Sequence, residues 1–120
     1  MAMKTDDVTF RTPRSVEDLG RALSRSLSSL KSEAQPIISD SGALSGFDDR
    51  AEIEVVADGQ TLLGGMWAVQ IYVFDHGLER EVALVALGDG GFARAWAGAR
   101  NSVSLAASVK KRDVIASSLR

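Results

Sequence analysis

The chain of 120 residues contains no cysteine and few of the residues that most often carry chemistry. Without cysteine it forms no disulfide, holds no metal through thiolates and has no cysteine nucleophile. It has one histidine, His76, and two prolines, Pro13 and Pro36. The most apolar stretch, residues 62–74, is too short for a membrane span and contains Gln70. With no apolar signal sequence near the start, these features predict a cytoplasmic protein without a membrane segment.

The length and the distribution of charge are the next informative features. A chain of this length suits one domain, so we expect a single domain over residues 1–120. The net charge is −2, but residues 36–90 carry −8 and residues 91–120 carry +5. Charge separated in this way can steer a charged partner or bring two copies of the chain together.

The first third of the chain predicts a strand followed by a helix. Residues 7–12 alternate apolar and polar side chains, and Pro13 ends the strand. Ser15 is suited to the N-cap, because its hydroxyl can accept a hydrogen bond from a free amide of the first turn. The following spacings of three and four predict an amphipathic helix over residues 16–33, with its apolar stripe at Val16, Leu19, Leu23, Leu27 and Leu30.

A long connection follows the helix at residues 34–50. Proline, serine, glycine and aspartate are frequent there, which is typical of loops. Leu44 and Phe47 are too apolar for an entirely solvated linker, and Ile37–Ile38 would form a brief strand or an anchor on the core. We expect an ordered or semi-ordered loop, and long structured loops often carry function.

The aromatic centre of the sequence, residues 64–97, predicts consecutive antiparallel strands. Apolar segments separated by glycine-centred turns predict strands at 51–58, from within 61–66 to 74, at 81–87 and at 92–97. The turns are predicted at Asp58–Gly59, Asp75–Gly77 and Gly88–Gly91.

The strand that ends at residue 74 is apolar on both of its faces. Trp67, Val69 and Ile71 share one side, whereas Tyr72 and Phe74 share the other. Such a strand should be central in its sheet and covered on both faces. Helices would cover one face, and a curled sheet, the long loop or a second subunit would cover the other.

Residues 103–119 predict a second helix, with Ser102 or Asn101 as its N-cap, although the apolar stripe is less regular than in the first helix. The expected fold is therefore α+β. An antiparallel sheet of about five strands carries an N-terminal and a C-terminal helix on one face, in the order βα-ββββ-α.

His76 is the first candidate for chemistry, because histidine is the usual acid–base residue. It stands in an Asp-His-Gly turn, where an exposed turn residue is the simplest interpretation. No catalytic constellation can be assembled around it, so we predict no catalytic residue and no cofactor.

Two further motifs resemble binding sites only in part. The glycines at Gly88–Gly91 lead into a strand, whereas a phosphate-binding loop leads into a helix N-terminus. The acidic cluster near residue 50 lacks the spacing of a calcium loop, so we predict no metal site. The cluster consists of Asp48, Asp49, Glu52 and Glu54.

Basic side chains on both helices form a candidate patch. It comprises Arg21, Arg25, Lys110, Lys111 and Arg112. An acidic partner or a nucleic-acid backbone would suit such a patch. The pI near 5.3 and the lack of a nucleic-acid-reading motif argue against nucleic acid. A solvated helix face accounts for the same residues.

Three functions remain as hypotheses. The first is a non-enzymatic binding or adaptor domain that acts through protein contacts as a homodimer, using an uncovered sheet face or an edge strand. The alternative is a small-ligand-binding or small-enzyme domain with a pocket between sheet and helices, lined by Trp67, Tyr72 and Trp96 and close to His76. The third is nucleic-acid binding through the basic patch.

Overall fold

The computed structural model describes residues 5–36, 51–62, 65–88 and 103–120. Within these ranges the elements follow the order βα-ββββ-α, which confirms the predicted α+β fold class. The helices are α1 (Val16–Ser29) and α2 (Leu105–Leu119). The strands are β1 (Thr5–Thr12), β2 (Ala34–Pro36), β3 (Ile53–Gln60), β4 (Met66–Asp75) and β5 (Arg80–Leu87).

A single antiparallel sheet holds these strands in the order β1-β5-β4-β3-β2. The most apolar strand, β4, is central, as its two apolar faces predicted. The brief strand β2 ends just before Ile37–Ile38, which lie outside the described residues, as does the strand predicted at 92–97. The fifth strand of the described sheet is therefore β2, which is too short to show an alternation of apolar and polar residues in the sequence.

Both helices pack on one face of the sheet, as predicted. Leu19 and Leu23 of α1 and Ile115 of α2 are buried in the same core cluster. Burying each such side chain contributes about 1.5–3 kcal/mol. The helices meet the odd-numbered residues of β4, which are Trp67, Val69, Ile71 and Val73.

The opposite face of the central strands is also closed to solvent within one copy of the chain. Tyr72 is 1% exposed, and its hydroxyl donates a hydrogen bond to Gln70 Oε1 at 3.2 Å. The rings of Tyr72 and Phe74 stack with 6.3 Å between centroids, and the buried Val103 belongs to the same hydrophobic cluster. The prediction that β4 is covered on both faces is confirmed, and its centre needs no second subunit for that cover.

The turn predicted at Asp58–Gly59 is wrong, because both residues lie inside β3. Gly59 pairs with Trp67 of β4, and a Cβ added to Gly59 would lie 2.5 Å from Trp67 Nε1. The glycine therefore gives room to an indole ring on the neighbouring strand rather than forming a turn.

Helix α1 begins as predicted and ends earlier. Ser15 is its N-cap, and the hydroxyl accepts a hydrogen bond from Asp18 N–H at 3.1 Å. Lys31 adopts a φ of 57°, in the left-handed region, and Ser32 N–H donates to Leu27 O at 2.8 Å. This hydrogen bond closes the helix end before residue 33.

Helix α2 begins later than predicted, and its N-cap is Ser104 rather than Ser102 or Asn101. The Ser104 hydroxyl accepts a hydrogen bond from Ala107 N–H at 3.2 Å. Ser104 N–H donates to Met66 O at 2.9 Å, which ties the start of α2 to the start of β4. Because the backbone at Val103 forms a bridge with Met66, those residues are extended and the helix starts after them.

Candidate functional site

The outer edge of strand β1 is the candidate functional site. Among the described strands β1 pairs with β5 alone, and its register runs without a break from Thr5–Leu87 to Thr12–Arg80. An unbroken register leaves no room for a β-bulge, and Pro13 lies beyond the strand. The strand therefore presents a regular row of backbone groups on its outer side.

The direction of those backbone groups follows from the β4–β5 turn. His76 N–H donates to Glu79 O at 2.9 Å, which makes these two residues a hydrogen-bonded pair. Bonded and non-bonded pairs alternate along an antiparallel ladder, so Glu79 and the odd-numbered residues of β5 bond to β4. The even-numbered residues of β5 therefore turn their backbone groups toward β1. The even-numbered residues of β1 pair with them. The backbone groups that face outward belong to Thr5, Asp7, Thr9 and Arg11.

The side chains of β1 follow the same alternation. The outward-bonding residues are all exposed, and they lie on the sheet face opposite the helices. Val8 and Phe10 lie on the helix face, where each is half-buried against the core. The edge thus combines a polar solvent face with an apolar strip that its own chain covers only in part.

Helix α2 holds β1 from the helix face. Arg112 Nη1 donates to Asp6 O at 2.8 Å and lies 3.3 Å from Asp6 Oδ1. The Arg112 side chain is 9% exposed, and its Nε and Nη2 donate to Asp113 Oδ1 at 3.1 and 2.9 Å. Near the other end, the Arg120 guanidinium lies 4.5 Å from the centre of the Phe10 ring. These contacts hold β1 in position against α2.

Two arginines anchor the segment that follows β1. Arg14 donates to Asp18 at 2.7 Å and to Ser118 O, one of the last carbonyls of α2, at 2.8 Å. The hydrogen bond from Arg14 to the Asp18 carboxylate lowers the pKa of Asp18, because the positive charge of the arginine favours the ionised carboxylate. Arg80 donates to Arg14 O and Pro13 O, each at 2.8 Å. The end of β1 is thereby joined to both helices and to the β4–β5 turn.

The β4–β5 turn contains His76 in the exposed position that the sequence predicted. Its Nε2 lies 3.0 Å from Glu81 Oε1, and both side chains are about a third exposed. On the other side of the turn, Gly77 N–H and Arg80 donate to the Asp75 carboxylate and lower its pKa. The side chains of Asp75, His76 and Arg80 thus contact other residues of the same turn and of the adjoining strand ends.

Two of the aromatic residues predicted to line a pocket, Trp67 and Tyr72, lie on opposite faces of the sheet. Trp67 lies on the helix face of β4, and Tyr72 lies on the opposite face of the same strand. Each is 1% exposed. Trp96 lies outside the described residues, and His76 is in the turn at the end of β4. Because the sheet separates Trp67 from Tyr72, one cavity cannot use both rings.

The predicted basic patch is divided by the contacts of its members. Arg21 is exposed and lies 3.9 Å from Glu17, one helical turn away. Arg21 and Arg25 line an open hollow on α1. On α2, the Lys111 ammonium lies 6.0 Å from the Trp67 ring centre, and Arg112 is held by Asp6 and Asp113. Arg112 therefore serves the β1 strand rather than a surface patch.

A polar hollow between α1 and β3 contains one perturbed carboxylate. Burial raises the pKa of Asp58, which lines the hollow with Lys31, Glu33 and Gln35. In the described parts of the chain no group of three or more histidine, cysteine, aspartate or glutamate side chains could hold a metal ion. Asp48 and Asp49 of the predicted acidic cluster lie outside those parts.

The sequence was compared with protein-family models, with curated proteins and with solved structures, and nothing matches in any of them. Among the described residues no helix has the length and apolarity required to cross a membrane.

The sequence predicted β1 as a strand but not its position at the sheet edge. A signal was present in the alternation of Asp7, Thr9 and Arg11 with Val8 and Phe10, which fits a strand with one polar face. Strand order is needed to identify which of the described strands lies at the edge, and it arises from pairings far apart in the chain.

Proposed function

We propose that this chain is a non-enzymatic protein-binding domain that takes an extended protein segment as an added strand on the outer edge of β1. The observation that carries the proposal is the outward row of backbone groups at Thr5, Asp7, Thr9 and Arg11. An added strand would satisfy those groups with main-chain hydrogen bonds, which supply affinity, whereas alternate side chains supply specificity.

Within the described residues, β1 lacks the bulge, the interior proline and the short length that block strand addition at many sheet edges. Proteins protect exposed edges with bulges, prolines, very short strands, covering segments or charged side chains, and of these devices β1 carries the charges of Asp6, Asp7 and Arg11. Strand β1 has eight residues, an unbroken register and no proline within it. The opposite edge of the sheet, β2, has three residues and ends in Pro36, so it offers far less.

Preorganisation favours binding at this edge. Arg112 holds the start of β1, and Arg14 and Arg80 hold the segment beyond its end. A partner therefore pays little to order the receiving strand, and most of the entropy cost falls on the incoming segment. Asp7 and Arg11 flank Thr9 on the exposed face, so they favour a segment with opposite charges at matching positions. The setting we propose is the cytoplasm.

A peptide-display selection against the immobilised chain tests this function. Thr9→Pro removes an outward N–H while sparing the ladder to β5, and proline is tolerated at such edge positions. Thr9→Val is the matched control, because it keeps the N–H. We expect selected peptides to bind the wild type and Thr9→Val alike and to lose at least about tenfold in affinity toward Thr9→Pro. Peptides that bind all three chains equally would place the binding surface elsewhere.

A further inference from the structure

We infer that the segment received by this edge is strand β1 of a second copy, paired antiparallel about a two-fold axis at Thr9. This inference rests on the proposed function and names its partner. The pairing would join two five-stranded sheets into one continuous sheet. It would pair the β1 edge of each copy with the β1 edge of the other, so that association closes as a dimer.

Charge complementarity selects this register. With the axis at Thr9, Asp7 of one copy lies directly opposite Arg11 of the other, and the same pair recurs on the far side of the axis. Both residues are exposed and belong to the outward-bonding set. Opposite charges that face each other across antiparallel strands stabilise the pairing.

The helix face of the same register is also complementary. Val8 of one copy faces Phe10 of the other in a non-hydrogen-bonded pair, where side chains approach most closely. Both residues are half-buried in the single chain, so each retains apolar surface that the pairing would cover. An apolar–aromatic pair of this kind is among the favourable cross-strand pairs.

Neighbouring registers lose this match. A two-fold axis at Asp7 sets two carboxylates opposite each other, which is unfavourable. An axis at Val8 sets Asp6 against Phe10, and an axis at Phe10 sets Asp7 against Pro13, so neither forms an ion pair between residues of β1. An axis between two residues is excluded, because it would set odd-numbered residues opposite even-numbered ones. A two-fold antiparallel pair keeps equivalent faces together, and odd and even residues of β1 lie on different faces. The axis at Thr9 is thus the one register near the strand centre that pairs both charges.

The existing contact of Arg11 does not oppose the pairing. Arg11 Nη1 lies 3.0 Å from Glu79 Oε1, with the two side chains 55% and 43% exposed. Such exposed ion pairs contribute little, so the guanidinium is available to a second carboxylate. Because an edge-to-edge contact is small, we expect a reversible dimer with a dissociation constant on the order of micromolar.

Charge exchange between copies tests the register directly. Asp7→Arg alone would set arginine opposite arginine, and Arg11→Asp alone would set aspartate opposite aspartate. Each variant is expected to be monomeric in sedimentation velocity at concentrations where the wild type is dimeric. An equimolar mixture of the two is expected to form a heterodimer, because every facing pair is then of opposite charge. Thermal unfolding of each variant checks that it is folded.

Hydrogen exchange gives a second readout in the unmodified chain. The amides of Asp7, Thr9 and Arg11 should gain protection as concentration rises through the dimerisation range, whereas Thr9→Pro should remain monomeric and Thr9→Val should not. A wild-type chain that stays monomeric at about 100 µM, well above that range, would overturn the self-pairing. A dimer that persists in Thr9→Pro and in both charge variants would equally overturn it.

The two proposals fail separately. If the wild type is monomeric but display-selected peptides still require the Thr9 N–H, then the edge binds protein and the inferred partner is wrong. If no selected peptide depends on Thr9 and no dimer forms, then the function proposed for the edge is wrong as well.

Discussion

Gly59 of β3 lies directly opposite Trp67 of β4, and the indole ring occupies the space that a side chain at position 59 would need. A Cβ there would lie 2.5 Å from Nε1 and 2.8 Å from Cε2 of the ring. Trp67 is 1% exposed on the helix face, where it belongs to the main core cluster. One glycine on an adjacent strand therefore makes room for the largest side chain of the core.

Gly59→Ala should destabilise the protein, because the added methyl group overlaps a ring that is enclosed on its other sides. We expect a loss of about 1–3 kcal/mol in the free energy of unfolding. Urea denaturation followed by tryptophan fluorescence would measure it. Gly77→Ala serves as the comparison. Gly77 has a φ of 93° and no atom within 4 Å of its Cβ position, so this change introduces backbone strain without steric overlap. A Gly59→Ala chain as stable as the wild type would contradict the packing described.

Ser108 of α2 completes the end of the β4–β5 ladder. Its hydroxyl accepts a hydrogen bond from Ala68 N–H at 3.0 Å and donates one to Leu87 O at 2.7 Å, and the residue is fully buried. Ser108→Ala leaves a buried donor and a buried acceptor unsatisfied, so we expect a loss of about 2–4 kcal/mol. Chemical denaturation measures the change. Ser117→Ala, exposed on the same helix, should stay within about 0.5 kcal/mol.

Arg80 supports the β1 segment through its fork of donors. It donates to Arg14 O, Pro13 O and Asp75, and its side chain is 13% exposed. Arg80→Lys keeps the charge but cannot reach several acceptors at once, so we expect a loss of about 1–2 kcal/mol. Amide exchange in residues 5–12 should also become faster. Arg25→Lys, on the exposed face of α1, is the control, and equal effects of the two changes would argue against this role.

Asp58 should make stability depend on pH. Burial raises the pKa of its carboxyl, so the folded state binds the proton more tightly than the unfolded state does. Stability is therefore lost as pH rises from the unfolded pKa through the folded pKa. Asp58→Asn should be more stable than the wild type near pH 7, and this difference in stability should vanish at about pH 3. Urea titrations at both pH values test this, with Glu54→Gln as an exposed control on β3. A stability difference between Asp58→Asn and the wild type that is the same at both pH values would exclude the raised pKa of Asp58 as its cause.

Local pattern was sufficient for most elements but not for their ends. The Ser15 cap and the leucine spacing of α1 predicted that helix, because a cap and a repeat of three and four residues act within a few turns. The Asp58–Gly59 pair misled the prediction of a turn, since the reason for that glycine is Trp67 on another strand. The end of α1 was equally hidden, because it depends on Lys31 in a left-handed conformation that sequence rarely signals.

By itself, the sequence determined both helices, the strands β1, β3, β4 and β5, the two apolar faces of β4 and the polar and apolar alternation along β1. Only the tertiary structure decided that β1 lies at the edge, that Trp67 and Tyr72 face opposite sides of the sheet, and that Arg112 is bound to Asp6. The physical reason is range. Periodicity and capping depend on neighbours along the chain, whereas the position of a strand in a sheet depends on pairings between segments far apart in the sequence.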